Sequence, residues 1–594
     1  MRNWVLIALI FSLILPLQPL HSGNNSSRTD LAEEITPFQP VTCMFELPSG
    51  IEDGKQVRCG YISVPEFHAN PDGPKIQLAV AILKSQAENP KPDPLFMAQG
   101  GPGGSTIDSY AQTLLSGNDL LKDRDIVLFD QRGTLYSKPN LYCTEIDRLT
   151  IETLDQDLTP EESERLSYNA LSACRKRLES QGVNLSAFNS LENAADIEAL
   201  RLALGYEKIN LYGVSYGTLL ALHYMRLFPS SLRSVILDSV VPPQINFIPN
   251  VAATQDQAFT RLFNACQEDQ ACNREYPQLE KVFTEVVDQL NRSPSRVALT
   301  DYETGEVYPE SLIDGDTFLA GIFQMLYATN LIPALPRMIY DAHRGDLQVF
   351  ARILAIIVFD RSTSYGMYYS VLCAEDADFS PSDQNLTGVR PQIAEAEKRS
   401  PQAFLNTCKM WDVPPLDPSV DEPVHSDIPT LVLSGEFDPI TPPVYAQAAA
   451  KTLTNSYSVI FPAGGHGQAL DGDCQIQIIQ SFLDNPYQSP DSSCIESIRQ
   501  PIFYTRSTVV DMPVILRLLN LEPLPSLTLL GLIIALLFLW TSGSFSQLPG
   551  LSAEVNALPQ HPHPPRFHQS HPLPQTTLVL QHRTSPRQRE KLPL

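Results

Sequence analysis

The chain has 594 residues, which is enough for more than one domain, and its 43% hydrophobic and 18% charged residues are typical of a globular protein. The formal net charge of −25 at pH 7 argues against a general role in binding nucleic acid, because neutralising phosphates requires a basic surface. A ligand with a cationic group suits this charge better.

The N-terminus, "MRNWVLIALIFSLILPL", combines a positive start at Arg2 with an apolar run from Trp4 to Leu15. The run is short for a membrane crossing and has the position of a signal peptide, which we predict over residues 1–23. The following "QPLHSGNNSS" lacks a clear A-x-A cleavage pattern, so an uncleaved anchor is the alternative. Either form predicts export to an extracellular or periplasmic location.

Ten cysteines follow this segment. An even number of cysteines in an exported chain predicts disulfides. The sequence lacks the C-x-x-C spacing that would suggest a zinc site. Pairing of neighbours along the chain would close short local loops. The predicted pairs are Cys43 with Cys59, Cys143 with Cys174, Cys266 with Cys272, Cys373 with Cys408, and Cys474 with Cys494.

Two separated regions alternate short apolar runs with helix-period segments. The first has the runs "QLAVAIL", "PLFMAQG", "DIVLFDQRG", "INLYGVS" and "SVILDSV", and the second has "PTLVLSGEFDPITPP" and "YSVIFPAGGHGQAL". In the first region Asn189 can cap a helix in which Ala194, Ile197, Leu200 and Leu204 recur near a period of 3.6. This alternation predicts a mostly parallel sheet with helices on both faces.

Between the two regions the pattern changes to long helical stretches such as "YPQLEKVFTEVVDQLNR", with few buried-type strands. We therefore predict an α/β core whose first part is 38–241 and whose C-terminal part is 430–500. A helical cap at 242–429 is inserted between core strands. Such a cap would lie over the strand ends, where ligands bind in open α/β folds.

A second hydrophobic segment, residues 526–545, has no charge between Glu522 and Glu554. Its length suffices for one transmembrane helix, although its strictly apolar part, Leu527 to Trp540, also suits a short interfacial segment. Residues 546–594 are rich in Pro and His and basic, which predicts a disordered tail rather than a metal site. The positive-inside rule would place this tail in the cytoplasm and tether the exported body to the membrane.

The stretch "LYGVSYGTLL" contains the pattern G-x-S-x-G, with Ser215 between Gly213 and Gly217. An apolar strand precedes it and a helix-compatible segment follows it, which is the setting of a nucleophile elbow. The motif alone is weak evidence because a serine needs a base, and the base needs a third group to orient it.

His466 is the best candidate for the base, since it lies in the glycine-rich loop "PAGGHGQAL" directly after an apolar strand. The remaining histidines of the body have surface or packing positions in the sequence; they are His68, His223, His343 and His425. Asp438 is the predicted orienting carboxylate, with Glu436 as a competitor. The order Ser215, Asp438, His466 is that of α/β-hydrolases.

A tetrahedral oxyanion needs backbone N–H donors. We predict that Tyr216 supplies one donor and that the loop "MAQGGPGGST" supplies another through Gly100 and Gly101. This loop lacks the Lys-Ser/Thr of a phosphate loop. Thr441 is predicted to support Asp438 by hydrogen bonding to it or to nearby backbone, and a plain loop cap is the alternative.

These motifs together resemble those of the secreted tripeptidyl aminopeptidases related to proline iminopeptidase. The likeness covers about Cys43 to Cys494. Gln99 stands where relatives usually have His, and Leu135 and Tyr136 stand where they commonly have Gly and Arg. The motifs, in chain order, are "QGGPGGS", "DQRGTLYS", "GVSYGT", "GEFDPITP" and "GGHG".

The resemblance implies a serine exopeptidase that needs no metal or organic cofactor and cleaves peptides with a free N-terminus. Binding the substrate ammonium requires carboxylates in a partly desolvated pocket. Glu375 and Asp376 in "VLCAEDADFS" are the candidates, and a solvated acidic turn is the alternative. The competing functions are a carboxylesterase or lipase on the same triad and a catalytically silent binding module on the hydrolase fold.

Overall fold

The computed structural model describes residues 37–498 and 501–505. The predicted signal peptide at 1–23, the membrane segment at 526–545 and the tail at 546–594 lie outside the described residues. Within the described ranges, no helix combines the length and the apolar character that a bilayer crossing requires.

A mixed nine-stranded sheet forms the centre of the described part of the chain, in the order β1-β2-β3-β5-β4-β6-β7-β10-β11. Six neighbouring strands are parallel, as the alternating sequence pattern predicts, and β1 to β3 form an antiparallel edge. The strands are β1 (Gln39–Val41), β2 (Val57–Pro65), β3 (Lys75–Leu83), β4 (Leu95–Ala98), β5 (Ile126–Phe129), β6 (Ile209–Val214), β7 (Leu232–Asp238), β10 (Thr430–Gly435) and β11 (Ser456–Phe461).

Helices cover both faces of this sheet, and alternate residues of the central strands bury on opposite sides. Phe96 of β4 packs with the helices that flank the nucleophile, whereas its neighbour Met97 packs on the other face. The covering helices are α1 (Thr106–Leu115), α4 (Ser190–Ala203), α5 (Tyr216–Leu227), α15 (Pro443–Ala450) and α16 (Asp473–Asp484), whereas α2 (Thr144–Thr153) and α3 (Pro160–Ser180) pack against each other.

Between β7 and β10 the chain forms mainly helices, together with one antiparallel hairpin of β8 (Ser295–Thr300) and β9 (Val307–Ile313). Part of this insertion has its own core, in which Phe259, Phe283 and Phe318 are buried. The domain bounds stay a prediction. The helices are α6 (Val251–Glu268), α7 (Gln270–Glu275), α8 (Leu279–Arg292), α9 (Gly315–Met325), α10 (Leu335–His343), α11 (Gln348–Val358), α12 (Tyr365–Glu375), α13 (Pro391–Glu397) and α14 (Ser400–Trp411).

All ten cysteines lie in the described residues, and they form the five disulfides predicted from neighbouring positions along the chain. The Cys373–Cys408 disulfide joins α12 to α14 within the insertion. Because disulfides persist in oxidising compartments, these bonds indicate an exported protein.

Candidate active site

Ser215 lies at the sharp turn between β6 and α5. Its backbone has φ +56° and ψ −128°, a conformation that non-glycine residues rarely adopt and that marks functional sites. The two flanking glycines are required by space, because a Cβ on Gly213 would lie 2.1 Å from the Gly217 carbonyl oxygen and one on Gly217 would lie 2.2 Å from the Ala98 carbonyl oxygen. The turn therefore has the geometry of a nucleophile elbow.

A cavity of about 710 Å³ opens beside Ser215. Most of the predicted site residues line it, with the exception of Asp438, which lies behind His466, and Glu375. The predicted residues at the cavity wall are Gly100, Gly101, Ser215, Tyr216, Asp376, Thr441 and His466.

The carboxylate of Asp438 is buried and accepts four hydrogen bonds. Its Oδ1 accepts the backbone N–H groups of Ile440 at 3.1 Å and Thr441 at 2.8 Å. Its Oδ2 accepts the Thr441 hydroxyl at 2.8 Å and lies 2.9 Å from Nδ1 of His466. This arrangement fixes the ring of His466 and places the proton of its neutral form on Nδ1. In the described chain Ser215 Oγ makes no hydrogen bond to that ring, and both side chains face the same cavity.

Burial lowers the pKa of His466, but the charge and hydrogen bond of Asp438, together with the charge of Asp238, outweigh burial and raise that pKa above its usual value. A general base must be unprotonated to accept a proton. Hydrolysis that depends on His466 should therefore decline as the pH falls through this raised pKa.

Thr441 lies where the sequence predicts a support for the carboxylate loop. Its hydroxyl donates to Asp438 Oδ2 and lies 3.2 Å from His466 Nδ1, so it contacts both partners. We expect Thr441→Val to lower kcat/KM by about threefold to tenfold, the equivalent of about 1 kcal/mol for one hydrogen bond. Thr441→Ser keeps the hydroxyl and should restore turnover in a steady-state assay. Unchanged folding and turnover in Thr441→Val would exclude the supporting role.

The competing candidates for the acid and the base have other partners. Glu436 pairs with Arg261 at 2.8 Å and does not line the cavity. His223 is 1% exposed, and burial lowers its pKa to about 3, as expected of a packed histidine. The Nε2 atom of His68 lies 2.8 Å from Oδ1 of the buried Asp196.

The predicted oxyanion donors differ in their partners. The Gly100 amide donates to Oε1 of Gln99 at 2.9 Å, so this N–H is already engaged, unlike the prediction. Among the described residues, the amides of Gly101 and Tyr216 have no hydrogen-bond acceptor. Gly100 still has a steric role, because a Cβ there would lie 2.5 Å from the Ser215 Cβ. The two free amides are the better donors.

The two predicted amine-binding carboxylates also differ from each other. Glu375 accepts the backbone N–H of Ser190 at 2.7 Å and its hydroxyl at 2.6 Å, and it lies outside the cavity wall. Asp376 lines the cavity, and its buried Oδ2 has no hydrogen-bond partner in the described structure. Of these two carboxylates, Asp376 thus lies in the cavity wall, where the sequence predicts both, and Glu375 does not.

Burial raises the pKa of Asp376 well above its usual range, and the charges of Glu375, Asp421 and Asp378 add to this effect. A cation bound beside Asp376 would favour the ionised carboxylate and reverse the shift. Three carboxylates, those of Asp376, Glu397 and Asp471, line the cavity, and its wall contains no Lys or Arg in the described ranges. The cavity is therefore suited to a cationic group.

Two family models match the chain. A model described as alpha/beta hydrolase fold matches residues 93–302, and a model described as TAP-like protein matches residues 396–494. The chain belongs to the TAP-like α/β-hydrolases. It is a serine hydrolase by family, in agreement with the strand–serine–helix turn at Ser215.

The relatives of this TAP-like hydrolase include peptidases and an esterase. Serine protease Hip1 of Mycobacterium tuberculosis is 27% identical over 482 residues, covering 76% of this chain and 88% of the relative. Tripeptidyl aminopeptidase of Streptomyces lividans is 31% identical over 242 residues, covering 40% and 45%. Carboxylesterase B of M. tuberculosis is 25% identical over 502 residues, covering 79% and 92%.

Three site residues of the hydrolase are missed by sequence reasoning. Tyr327, in the insertion, accepts the backbone N–H of His466 at 2.8 Å, and its ring lies 4.9 Å from the imidazole. Asp238 and Ser239 bind the backbone that follows His466. No motif marks Tyr327, whereas the position of Asp238 directly at the end of an apolar run is a signal of the same kind as that of Asp438. Leu135 and Tyr136 do not line the cavity.

Proposed function

We propose that the chain is a serine exopeptidase that removes residues or short peptides from substrates with a free N-terminal amine. The observation that carries this proposal is the cavity shared by Ser215, His466 and the unpartnered carboxylate oxygen of Asp376. The relatives with peptidase names support the same reaction class.

In the proposed reaction, Ser215 Oγ attacks the carbonyl carbon of the scissile amide while its proton passes to Nε2 of His466. The amides of Gly101 and Tyr216 stabilise the oxyanion. The imidazolium gives the proton to the leaving amine as the C–N bond breaks, which leaves an acyl ester on Ser215. Water, deprotonated by His466, then hydrolyses this ester, and Asp438 holds the ring throughout.

Asp376 is assigned to the substrate ammonium. An ammonium has three N–H donors and a full positive charge, so it would satisfy the buried Oδ2 and stabilise the ionised form of the carboxylate. Because Asp376 and Ser215 line one cavity, the N-terminus and the scissile bond would be bound at the same time. This arrangement accounts for an exopeptidase rather than an endopeptidase.

The decisive experiment compares a peptide amide substrate that has a free amine with its N-acetylated form. We expect the acetylated peptide to have a kcat/KM at least about tenfold lower, because acetylation removes the charge and leaves Asp376 unpaired. Steady-state kinetics of the purified protein give both values. Equal kcat/KM values for the two peptides would contradict the proposal that the protein is an exopeptidase.

A carboxylesterase is the second candidate, favoured by the relative named carboxylesterase B and by apolar side chains in the cavity wall, among them Leu219, Phe247 and Leu372. The same assay separates the two candidates when a short-chain ester is added. An esterase would hydrolyse the ester and leave both peptides intact.

A further inference from the structure

The carboxyl end of β7 holds the loop that carries His466. Asp238 is fully buried, and its Oδ2 accepts the backbone N–H of Gln468 at 2.7 Å and that of Ala469 at 3.0 Å. The hydroxyl of Ser239 accepts the backbone N–H of Gly467 at 2.8 Å. Three consecutive amides directly after His466 are thus bound by two consecutive residues at one strand end.

The same two residues contact the other catalytic segments. The backbone carbonyl of Asp238 accepts the N–H of Ser215 at 3.0 Å, and the N–H of Ser239 donates to the carbonyl of Leu433 at 3.0 Å. Leu433 belongs to β10, the strand that leads to Asp438. The end of β7 therefore touches the segments that carry the nucleophile, the base and the acid.

The backbone at this point is strained, since Ser239 is a non-glycine residue with φ +56°. Asp238 Oδ2 also accepts the hydroxyl of Tyr212 at 2.9 Å, while Oδ1 has no partner within the described residues. A carboxylate with a free buried oxygen is costly to a fold. This cost is accounted for if the charge and the hydrogen bonds of Asp238 position the neighbouring catalytic residues.

We propose that Asp238 and Ser239 are positioning residues, which hold His466 in register with Ser215 and Asp438 and add a second negative charge beside the imidazole. This inference rests on the proposed function, because it takes Ser215, Asp438 and His466 as the catalytic residues. Neither Asp238 nor Ser239 lines the cavity, so both act through the residues they hold.

Among the described residues, three titratable groups face Asp238. They are Tyr212 on β6, Tyr110 on α1 and His466 on the loop after β11, and Asp471 acts on Tyr110 from the same loop. Burial raises the pKa of Asp238 to about 6, against the hydrogen bonds from Gln468, Tyr212 and Ala469 and the charge of His466. When ionised, Asp238 favours the imidazolium and so moves the acidic limb of activity to higher pH.

The test is the rate at which an alkyl fluorophosphonate labels Ser215, measured from pH 5 to pH 9, because this reaction needs the triad and no particular substrate. We expect Asp238→Asn to lower the rate at pH 8 by about tenfold to a hundredfold, as small displacements of catalytic groups do. The midpoint of its acidic limb should move to lower pH by about half a unit, because the variant lacks the charge that favours the imidazolium.

Ser239→Ala is the matched variant, since it removes one loop hydrogen bond and no charge. We expect it to lower the rate at pH 8 by about threefold to tenfold and to leave the midpoint unchanged. A slower Asp238→Asn with an unshifted midpoint would show a merely structural role and overturn the proposal. If circular dichroism shows that Asp238→Asn does not fold, a wild-type rate in Ser239→Ala overturns it. A wild-type protein that is not labelled at all would instead contradict the proposed function.

Discussion

Ser215→Ala is expected to abolish hydrolysis, with a loss of about a millionfold in kcat, as removal of the nucleophile causes in other triad enzymes. The elbow between β6 and α5 places this serine at the turn, directly before Tyr216, whose amide has no acceptor among the described residues. The measurement is steady-state hydrolysis of a free-amine peptide amide by purified wild-type and variant protein.

Ser362→Ala is a suitable control, since Ser362 also lines the cavity and its hydroxyl donates to the exposed Asp360. This variant should keep wild-type turnover. Chelators should have no effect on the wild-type rate, because the proposed mechanism uses no metal. Full activity in Ser215→Ala would contradict the assignment and favour a contaminating hydrolase or a silent binding module.

The parallel part of the sheet could be predicted because strands that are buried on both faces read as continuous apolar runs. All four residues of β4, and likewise all four of β5, are buried, and their sequences LFMA and IVLF are uniformly apolar. The strand β2 could not be predicted because its sequence, VRCGYISVP, mixes polar and small residues among the apolar ones. The hairpin of β8 and β9 could not be predicted either, because most of its residues are exposed or half-buried and form no continuous apolar run.

The positions of Ser215, Asp438 and His466 could be predicted because each follows an apolar strand, and parallel strands bring their carboxyl ends to one edge of the sheet. The hydrogen-bond partners of individual polar groups could not be predicted. Whether the Gly100 N–H is available to a substrate depends on the side chain of Gln99, which accepts it. The orientation of the Glu375 side chain depends on its hydrogen bond with Ser190, which is 185 positions away. Such contacts between distant segments leave no local pattern.

Asp376→Asn is expected to remove the preference for a free N-terminus. Loss of one partner of a buried charge pair costs about 2 to 5 kcal/mol, so kcat/KM for the free-amine peptide should fall by about 30-fold to about 4,000-fold. Ester hydrolysis should change little, because the nucleophile, the base and the oxyanion donors are untouched. The ratio of kcat/KM for the free and the acetylated peptide is the quantity to measure.

Glu375→Gln provides the matched control, because it makes the same change of charge at the adjacent residue. Glu375 binds the N–H and the hydroxyl of Ser190, and that hydroxyl lies 2.8 Å from the hydroxyl of Tyr216. Its loss should therefore lower the rates on all substrates together, through the residue that follows the nucleophile, and preserve the preference for the free peptide, because removing the Glu375 charge favours the ionised form of Asp376. A ratio that is unchanged in Asp376→Asn would place the amine site elsewhere in the cavity, with Glu397 and Asp471 as the remaining carboxylates in its wall.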